Sequence, residues 1–473
     1  MSFHTSADPT DPNGVRGRRV TVMGLGTRAG GVGAARHLAK AGAIVTVSDA
    51  RSAEALAAPI ADLAGLPITF NVGGHDERDF TTADIVVRNP GVRRDHPLLD
   101  LARRHGVRIE MELSLFLRAC PAPVVGITGT KGKTTVATLT GDLLRRWDAR
   151  TIVAGNMGIS ALDHLPDISP TTPVVLEISS WQLESAIEHG LSPHIGVITV
   201  IAEDHLNTYR DFADYAGVKR GVVAHQHAAD FAVLNPGDPE IWGAAAMTPA
   251  SIVPYGAPRG GEGAWVEDGL IRWRWRGDDW SLPPPANPAL AGNHQTTNIL
   301  AALAAARLRG ATREAIVAGL DGFAGIRDRM EPVATVNGVR FINDTTATAP
   351  IAAAAAINSL PGATIHLLAG GADKGLDPGP LAAAIGPRVS VYLFDGSGTP
   401  ALAAALAARG VEPVGVYGSM TAIVEAALAS AGPGAVILLS PGCASFGIFR
   451  DEFDRGEQFR RLALGLAAGE APR

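Results

Sequence analysis

The chain has 473 residues, 46% of them hydrophobic and 19% charged, which excludes a mostly disordered protein and leaves room for about three domains of roughly 150 residues each. A net charge of −6 offers no basic excess for neutralising nucleic-acid phosphates. Cys120 and Cys443 are the only cysteines, and they form neither a disulfide framework nor a zinc spacing, as expected in a reducing, cytoplasmic compartment.

Residues 1–18 are polar, with Pro9, Asp11, Pro12, Asn13 and Gly14 and no apolar core before a cleavage site. They read as a flexible tail and not as a signal peptide. The apolar runs, 124–127 and 436–439 among them, fall far short of the ~20 residues of a spanning helix, so no membrane insertion is expected. From residue 19 the chain alternates β-branched runs with Ala/Leu-rich helical stretches, the pattern of α/β folds with parallel sheets. The first unit is a strand at 19–23, the turn Gly24-Leu25-Gly26, a helix near 32–41 and a strand at 43–48 that ends at Asp49. A strand at 84–88 then runs into the turn Asn89-Pro90-Gly91. A dinucleotide fingerprint would have its third glycine where Ala29 stands. The turn still suits a nucleotide-linked substrate, with Asp49 able to accept ribose hydroxyls. A nicotinamide-dependent oxidoreductase is the alternative from another class. A Rossmann-like domain is expected over 19–113.

Pro121 and Pro123 precede an apolar strand at 124–127, and a central domain is expected over 114–324. That strand runs into Gly126-Ile127-Thr128-Gly129-Thr130-Lys131-Gly132-Lys133-Thr134-Thr135 and then a helix. Glycines let backbone amides curl round phosphates, Lys133 can reach the β- and γ-phosphates, and the Thr134 hydroxyl can hold Mg²⁺. Further strands are expected at 174–178, 195–201 and 231–234. Two of them end in acids or imidazole: Glu177, and Glu203-Asp204-His205, oxygen and nitrogen donors suited to a metal beside phosphates. Asp268-Gly269 marks a hairpin turn, with Trp273 and Trp275 alternating with Arg272, Arg274 and Arg276. Such interleaving can serve single-stranded nucleic acid, but it also fits a hairpin with one apolar and one solvated face. A helix covers 291–309. The third block, 325–473, has strands at 339–342, 364–368, 389–394 and 436–439, a second Rossmann-like domain.

Of the 41 basic residues 36 are Arg; the lysines are Lys40, Lys131, Lys133, Lys219 and Lys374. Genomic base composition explains most of that bias. A Lys retained against it can mark a position where a compact, deprotonatable cation is needed.

The glycine loop 128–134, the stretch 177–184, Asp204-His205 with Lys219 fourteen residues on, and Gly292-Asn293-His294-Gln295-Thr296-Thr297-Asn298 occur in this order. With them the chain resembles the Mur ligases of peptidoglycan synthesis. Asn343-Asp344-Thr345-Thr346-Ala347-Thr348, Gly370-Gly371-Ala372-Asp373-Lys374 and Ser440-Pro441-Gly442-Cys443-Ala444-Ser445-Phe446 are similar to the glutamate-adding members. The resemblance implies three α/β domains, the middle one a P-loop ATPase. It implies ATP-dependent addition of glutamate to UDP-N-acetylmuramoyl-L-alanine through an acyl-phosphate, with D-glutamate expected and an L-glutamate-adding relative or another Mur-type ligase as the alternative. By the same resemblance Lys133, Lys219 and His205 are catalytic. ATP is held by Gly129, Thr130, Lys131, Gly132, Lys133, Thr134 and Thr135, with Asn298, Arg329 and Asp344 on the adenine nucleotide. Two Mg²⁺ ions are implied at Thr134, Glu177, His205 and Lys219, the last as a carbamate. Gly26, Thr27, Asp49, Asn89, Asn156 and Gln182 would meet the UDP-linked substrate, and Thr348, Lys374, Ser445 and Phe446 the glutamate. Small molecules are the only partners expected, and the chain is expected to act as a monomer. It departs from the family pattern at Gln295, Asp328 and Thr346, where the family usually has Asn, His and often Lys.

Overall fold

Runs of β-branched and aliphatic residues recur along the chain, and most of them are buried strands. The computed structural model describes residues 10–26, 29–204, 208–290 and 293–469. The first sheet holds β1 (Arg19–Met23), β2 (Ile44–Asp49), β3 (Ile68–Val72), β4 (Ile85–Arg88) and β5 (Arg108–Glu110), all parallel, in the order β3-β2-β1-β4-β5. The order reverses beside β1, so the ends of β1, β2 and β4 open a crevice of the kind that takes nucleotides.

The second sheet begins with β6 (Val124–Thr128), β7 (Ile152–Gly155), β8 (Val174–Glu177), β9 (Ile195–Ile198) and β10 (Phe231–Leu234). It continues through β11 (Ser251–Gly256), β12 (Gly263–Glu267), β13 (Leu270–Trp275) and β14 (Asp278–Leu282). The order is β14-β13-β12-β11-β10-β9-β6-β8-β7, parallel except for the β12–β13–β14 meander. Asp268 and Gly269 both take positive φ, the twist that a two-residue hairpin turn requires. The arginines of this meander face acids, Arg272 to Glu267 at 3.4 Å and Arg274 to Asp279 at 2.8 Å, and the buried Trp273 donates its indole N–H to Asp278 at 2.7 Å. The aromatic–basic alternation is therefore a two-faced hairpin in which Arg272 and Arg274 are paired within it and Arg276 donates to Ser251.

The third sheet contains β15 (Glu331–Val336), β16 (Val339–Asn343), β17 (Ile365–Gly370), β18 (Val389–Phe394), β19 (Gly415–Tyr417) and β20 (Val436–Leu439), in the order β15-β16-β20-β17-β18-β19. Only β15 runs antiparallel to its neighbour. The chain is a three-domain α/β protein. Its first two sheets share one compact unit, Met1–Phe323, and the third forms another, Ala324–Arg473.

Within residues 10–18, expected as part of a flexible tail, Asn13 and Val15 are buried while 10 and 16–18 are exposed. Asp11 accepts the Val15 and Arg16 amides. Asn13 is buried and held by Arg108 and Arg118, and Val15 enters the core. Arg108 donates to the Asn13 backbone carbonyl and Arg118 to its side-chain oxygen, a specific anchor that polar composition alone conceals. Among the described residues no helix is long and apolar enough to cross a membrane.

Candidate active site

The loop after β6 is shaped by contacts that exclude side chains. A Cβ on Gly129 would lie 2.1 Å from Thr199 Oγ1, and one on Gly132 2.8 Å from Asn298 Oδ1, and both glycines take positive φ. Only glycine meets both demands. Thr130 bonds the chain at Val200 and Ala202, and the Lys131 carbonyl accepts from Thr199 at 2.6 Å. The helix Lys133–Arg145 starts directly after the loop, so its free N–H groups and positive dipole end face the place where phosphates would sit. Lys133 Nζ donates to the Thr130 carbonyl at 3.0 Å. Thr134 and Thr135 follow in the first helical turn. Asn298 is oriented from its own helix, Asn293–Arg309, by Gln295, whose side-chain oxygen accepts from it at 3.0 Å.

Glu177 ends β8 and is buried. One of its oxygens accepts from Asn156 Nδ2 at 2.9 Å, while Oε2 has no hydrogen-bond partner among the described residues. Lys219 is also buried, on the helix Phe212–Arg220. Burial and the nearby Lys133 cation push its ammonium down to about 7, partly offset by Asp204 and Glu177. Lys133, Glu177, Asp204 and Lys219 thus share one electrostatic neighbourhood beside the phosphate loop. His205 and Thr27 lie outside the described residues. Among the described residues no group of three or more His, Cys, Asp or Glu side chains is arranged to hold a metal. An orphaned buried carboxylate oxygen and a hydroxyl at a helix start do fit Mg²⁺, which takes few ligands from protein; an unmodified Lys219 ammonium would not.

Sequence reasoning passed over Tyr215. Its hydroxyl is 3.1 Å from Thr130 Oγ1, and Lys219 Nζ lies 5.2 Å from its ring centroid. The signal available was its place four residues before Lys219, one helical turn away.

In the first domain Asp49 is buried with both oxygens engaged, by the Leu25 amide and by the Arg51 amide and guanidinium. It organises the glycine turn and holds Arg51 beside it. Asn89 folds into its own turn, accepting from the Gly91 amide at 3.0 Å, and approaches Gly24. Gly26 takes a positive φ in the same turn. Gln182 caps the helix Ser180–Glu188, accepting from the Ser179 amide and hydroxyl.

In the second unit Asp344 follows β16, accepting from Ser440 at 2.7 Å and from the Met330 amide, and burial pushes its carboxyl up to about 6. Arg329 is exposed in the preceding loop. Asp328, at positive φ, is held by Arg460 and Asn343, and its carbonyl accepts from the Thr346 hydroxyl at 2.8 Å. Two of the departing positions therefore bond each other. Lys374 Nζ donates to Thr348 Oγ1 at 2.7 Å. The loops of Ala372 and Ala444 are bridged, which brings Lys374 and Cys443 onto one cleft with Leu376 and Leu381. Ser445 is buried and Phe446 exposed just beyond.

Three family models match the chain: a Mur ligase MurD-like N-terminal domain over 18–110, a Mur ligase middle domain over 127–306, and a Mur ligase glutamate ligase domain over 328–443. A UDP-N-acetylmuramoylalanine–D-glutamate ligase of Roseiflexus sp. is 45% identical over 94% of this chain and 98% of its own. A protein of the same name from Geobacter metallireducens is 38% identical over 97% of this chain and 100% of its own. Among solved structures, UDP-N-acetylmuramate-alanine ligase MurC from Thermotoga maritima has the same fold, with a TM-score of 0.58 and 19% identity over 94% of this chain and 98% of that one. With its phosphate loop, buried Glu177 and Lys219, and all three domains matched in order, the chain belongs to the Mur ligase family, among its UDP-N-acetylmuramoylalanine–D-glutamate ligases.

Proposed function

We propose that this chain joins D-glutamate to UDP-N-acetylmuramoyl-L-alanine at the expense of ATP, releasing ADP and phosphate, in the cytoplasm where these nucleotides are found. The observation that carries the reading is the meeting of Lys133, Glu177 and Lys219 beside one phosphate loop, in a chain 45% identical to a ligase of that name. ATP with Mg²⁺ is the usage typical of Mur ligases. The alanyl carboxylate oxygen attacks the γ-phosphorus and ADP leaves. The glutamate amine then attacks the acyl carbon, phosphate leaves, and the nitrogen loses a proton. Gly129 to Thr135 cradle the phosphates, and Lys133 offsets the charge that spreads over the transferring group. Thr134, Glu177, His205 and Lys219 would hold the metal, which supplies further charge neutralisation when bound.

For Lys219 the reading is a carbamate. An amine lowered to about 7 is substantially neutral at physiological pH, so it can add to CO₂ with loss of one proton. Burial that is hostile to an ammonium is relieved once the group becomes an anion beside metal. Asn298, Arg329 and Asp344 serve the adenine nucleotide. Gly26, Thr27, Asn89, Asn156 and Gln182 serve the UDP-linked substrate, with Asp49 acting through the turn that it organises. Lys374 and Thr348 take the distal carboxylate of glutamate, with Ser445 and Phe446 flanking. Incubation with UDP-N-acetylmuramoyl-L-alanine, ATP and each of D-Glu, L-Glu, D-Asp and L-Ala tests this. Product is expected with D-Glu alone, and equal product with L-Glu would overturn the stereochemical assignment.

A further inference from the structure

The turn after β4 carries Asn89 and, five residues on, Arg94. Arg88, the last residue of β4, donates one nitrogen to the Val92 carbonyl at 2.8 Å and pairs through another with Glu184 of the helix Ser180–Glu188. Both side chains are nearly removed from water, at 4% and 9% exposure. The other oxygen of Glu184 is buried without a hydrogen bond to any described residue, and the Arg94 guanidinium stands 4.0 Å from it. Arg94 also grips Asp214 at 2.6 Å, in the first turn of the helix Phe212–Arg220, and lies 5.3 Å from the centroid of the Tyr209 ring. Tyr209 packs on Tyr215, centroids 5.3 Å apart, and Tyr215 meets both Thr130 of the phosphate loop and Lys219.

We infer that Arg94 is a positioning residue that couples the UDP-substrate side of the first domain to the ATP side of the second. It does so by setting, through Asp214 and the Tyr209–Tyr215 stack, the helix that carries Lys219. This rests on reading the Asn89 turn as part of the substrate site. The arrangement has the two properties a coupling element needs. It is contiguous, and it is incompletely closed: a shift of Arg94 by about 1 Å would tighten its 4.0 Å pair with Glu184, a carboxylate that the Tyr209 side chain also faces, into a charged hydrogen bond of about 2.7–2.9 Å. A movement of the 89–94 turn on substrate binding would thus be felt at Asp214. Arginine suits the post because its flat guanidinium can stack on a ring while forking between two carboxylates, which an ammonium cannot do.

The test measures binding of a non-hydrolysable ATP analogue by calorimetry, with and without saturating UDP-N-acetylmuramoyl-L-alanine. In the native protein the substrate should tighten the analogue by about tenfold, within the roughly 5- to 150-fold range of coupled sites. Arg94→Gln should leave each ligand's separate affinity within about threefold while the coupling falls below about twofold. Asp214→Asn should do the same, and the double variant should lose nothing more. Arg94→Lys, which keeps the charge but not the stacking, should retain an intermediate coupling and serves as the readable variant if the glutamine form does not fold. Native coupling below twofold, or wild-type coupling in Arg94→Gln or Arg94→Lys, would overturn the inference. Failure of the native protein to bind the UDP-linked substrate at all would overturn instead the reading of the first domain, and this inference with it.

Discussion

Single side chains carry the sharpest expectations. Lys133→Ala should cut turnover at least a hundredfold, since it removes a cation from a phosphoryl-transfer site, with folding unchanged by circular dichroism. Lys219→Arg should be no more active than Lys219→Ala in steady-state assays, because a guanidinium stays protonated and forms no carbamate. Near-normal turnover of the arginine variant would end that idea. Lys374→Ala should raise the KM for glutamate far more than that for ATP, as Lys374 and Thr348 form one donor pair. Glu112 shows how burial overrides good hydrogen bonds. It accepts from Ser160 and from the Ala161 amide, at 2.6 and 2.9 Å, yet desolvation raises its carboxyl from 4.5 to about 7. Between those values the folded state holds a proton that the unfolded chain has released. The stabilisation from this group is therefore complete below pH 4.5 and is lost as the pH rises towards 7. Urea midpoints across this range should fall less steeply for Glu112→Gln, whose amide mimics the protonated acid.

At the scale of elements, glycines decide how the first helix seats. A Cβ on Gly33, in the helix Ala29–Lys40, would lie 2.0 Å from Ser160 Oγ, and one on Gly31 2.2 Å from the Leu25 carbonyl. Beside them Arg36 pairs with Asp163 at 2.7 Å. The helix is thus pressed onto both its own strand turn and the 160–163 segment of the central domain, and Glu112 fills the same seam. Gly33→Ala should cost about 1–3 kcal/mol by overpacking, read as a lower urea midpoint. It should also weaken binding of the UDP-linked substrate, because the helix bears the glycine turn.

For the whole molecule, three α/β domains are each built on their own sheet. A ligase built this way should release ADP and phosphate in sustained turnover only when both the UDP-linked alanine and glutamate are present, since without glutamate the reaction stops at the acyl-phosphate. A coupled assay with each component omitted in turn checks this, and ATP hydrolysis indifferent to both would contradict it. Chelation of Mg²⁺ should abolish turnover, and its restoration should recover it.

The local chemistry of the chain was enough to locate the phosphate loop, because a strand, a glycine-rich turn and a helix start are contiguous in sequence and each has its own signature. The same holds for the strands at 19–23, 231–234, 389–394 and 436–439, whose apolar runs are bounded by turns. β3 and β5 escaped for different reasons: β3 is partly exposed along its whole length, with no buried face to set a pattern, and β5 is only three residues long, two of them charged. Its place at a strand end supplied Glu177 as a candidate and family resemblance supplied Lys219, but only tertiary packing could bring their charges together with that of Lys133. Asp49 braces Arg51 two residues on and Gln182 forms a capping box with Ser179, local contacts that the sequence pattern already carried. Tertiary packing bonded Thr346 to Asp328 and closed the Arg94 joint onto Asp214. Hydrogen-bond partners more than a hundred residues apart are set by how sheets and helices stack, and no local pattern encodes them.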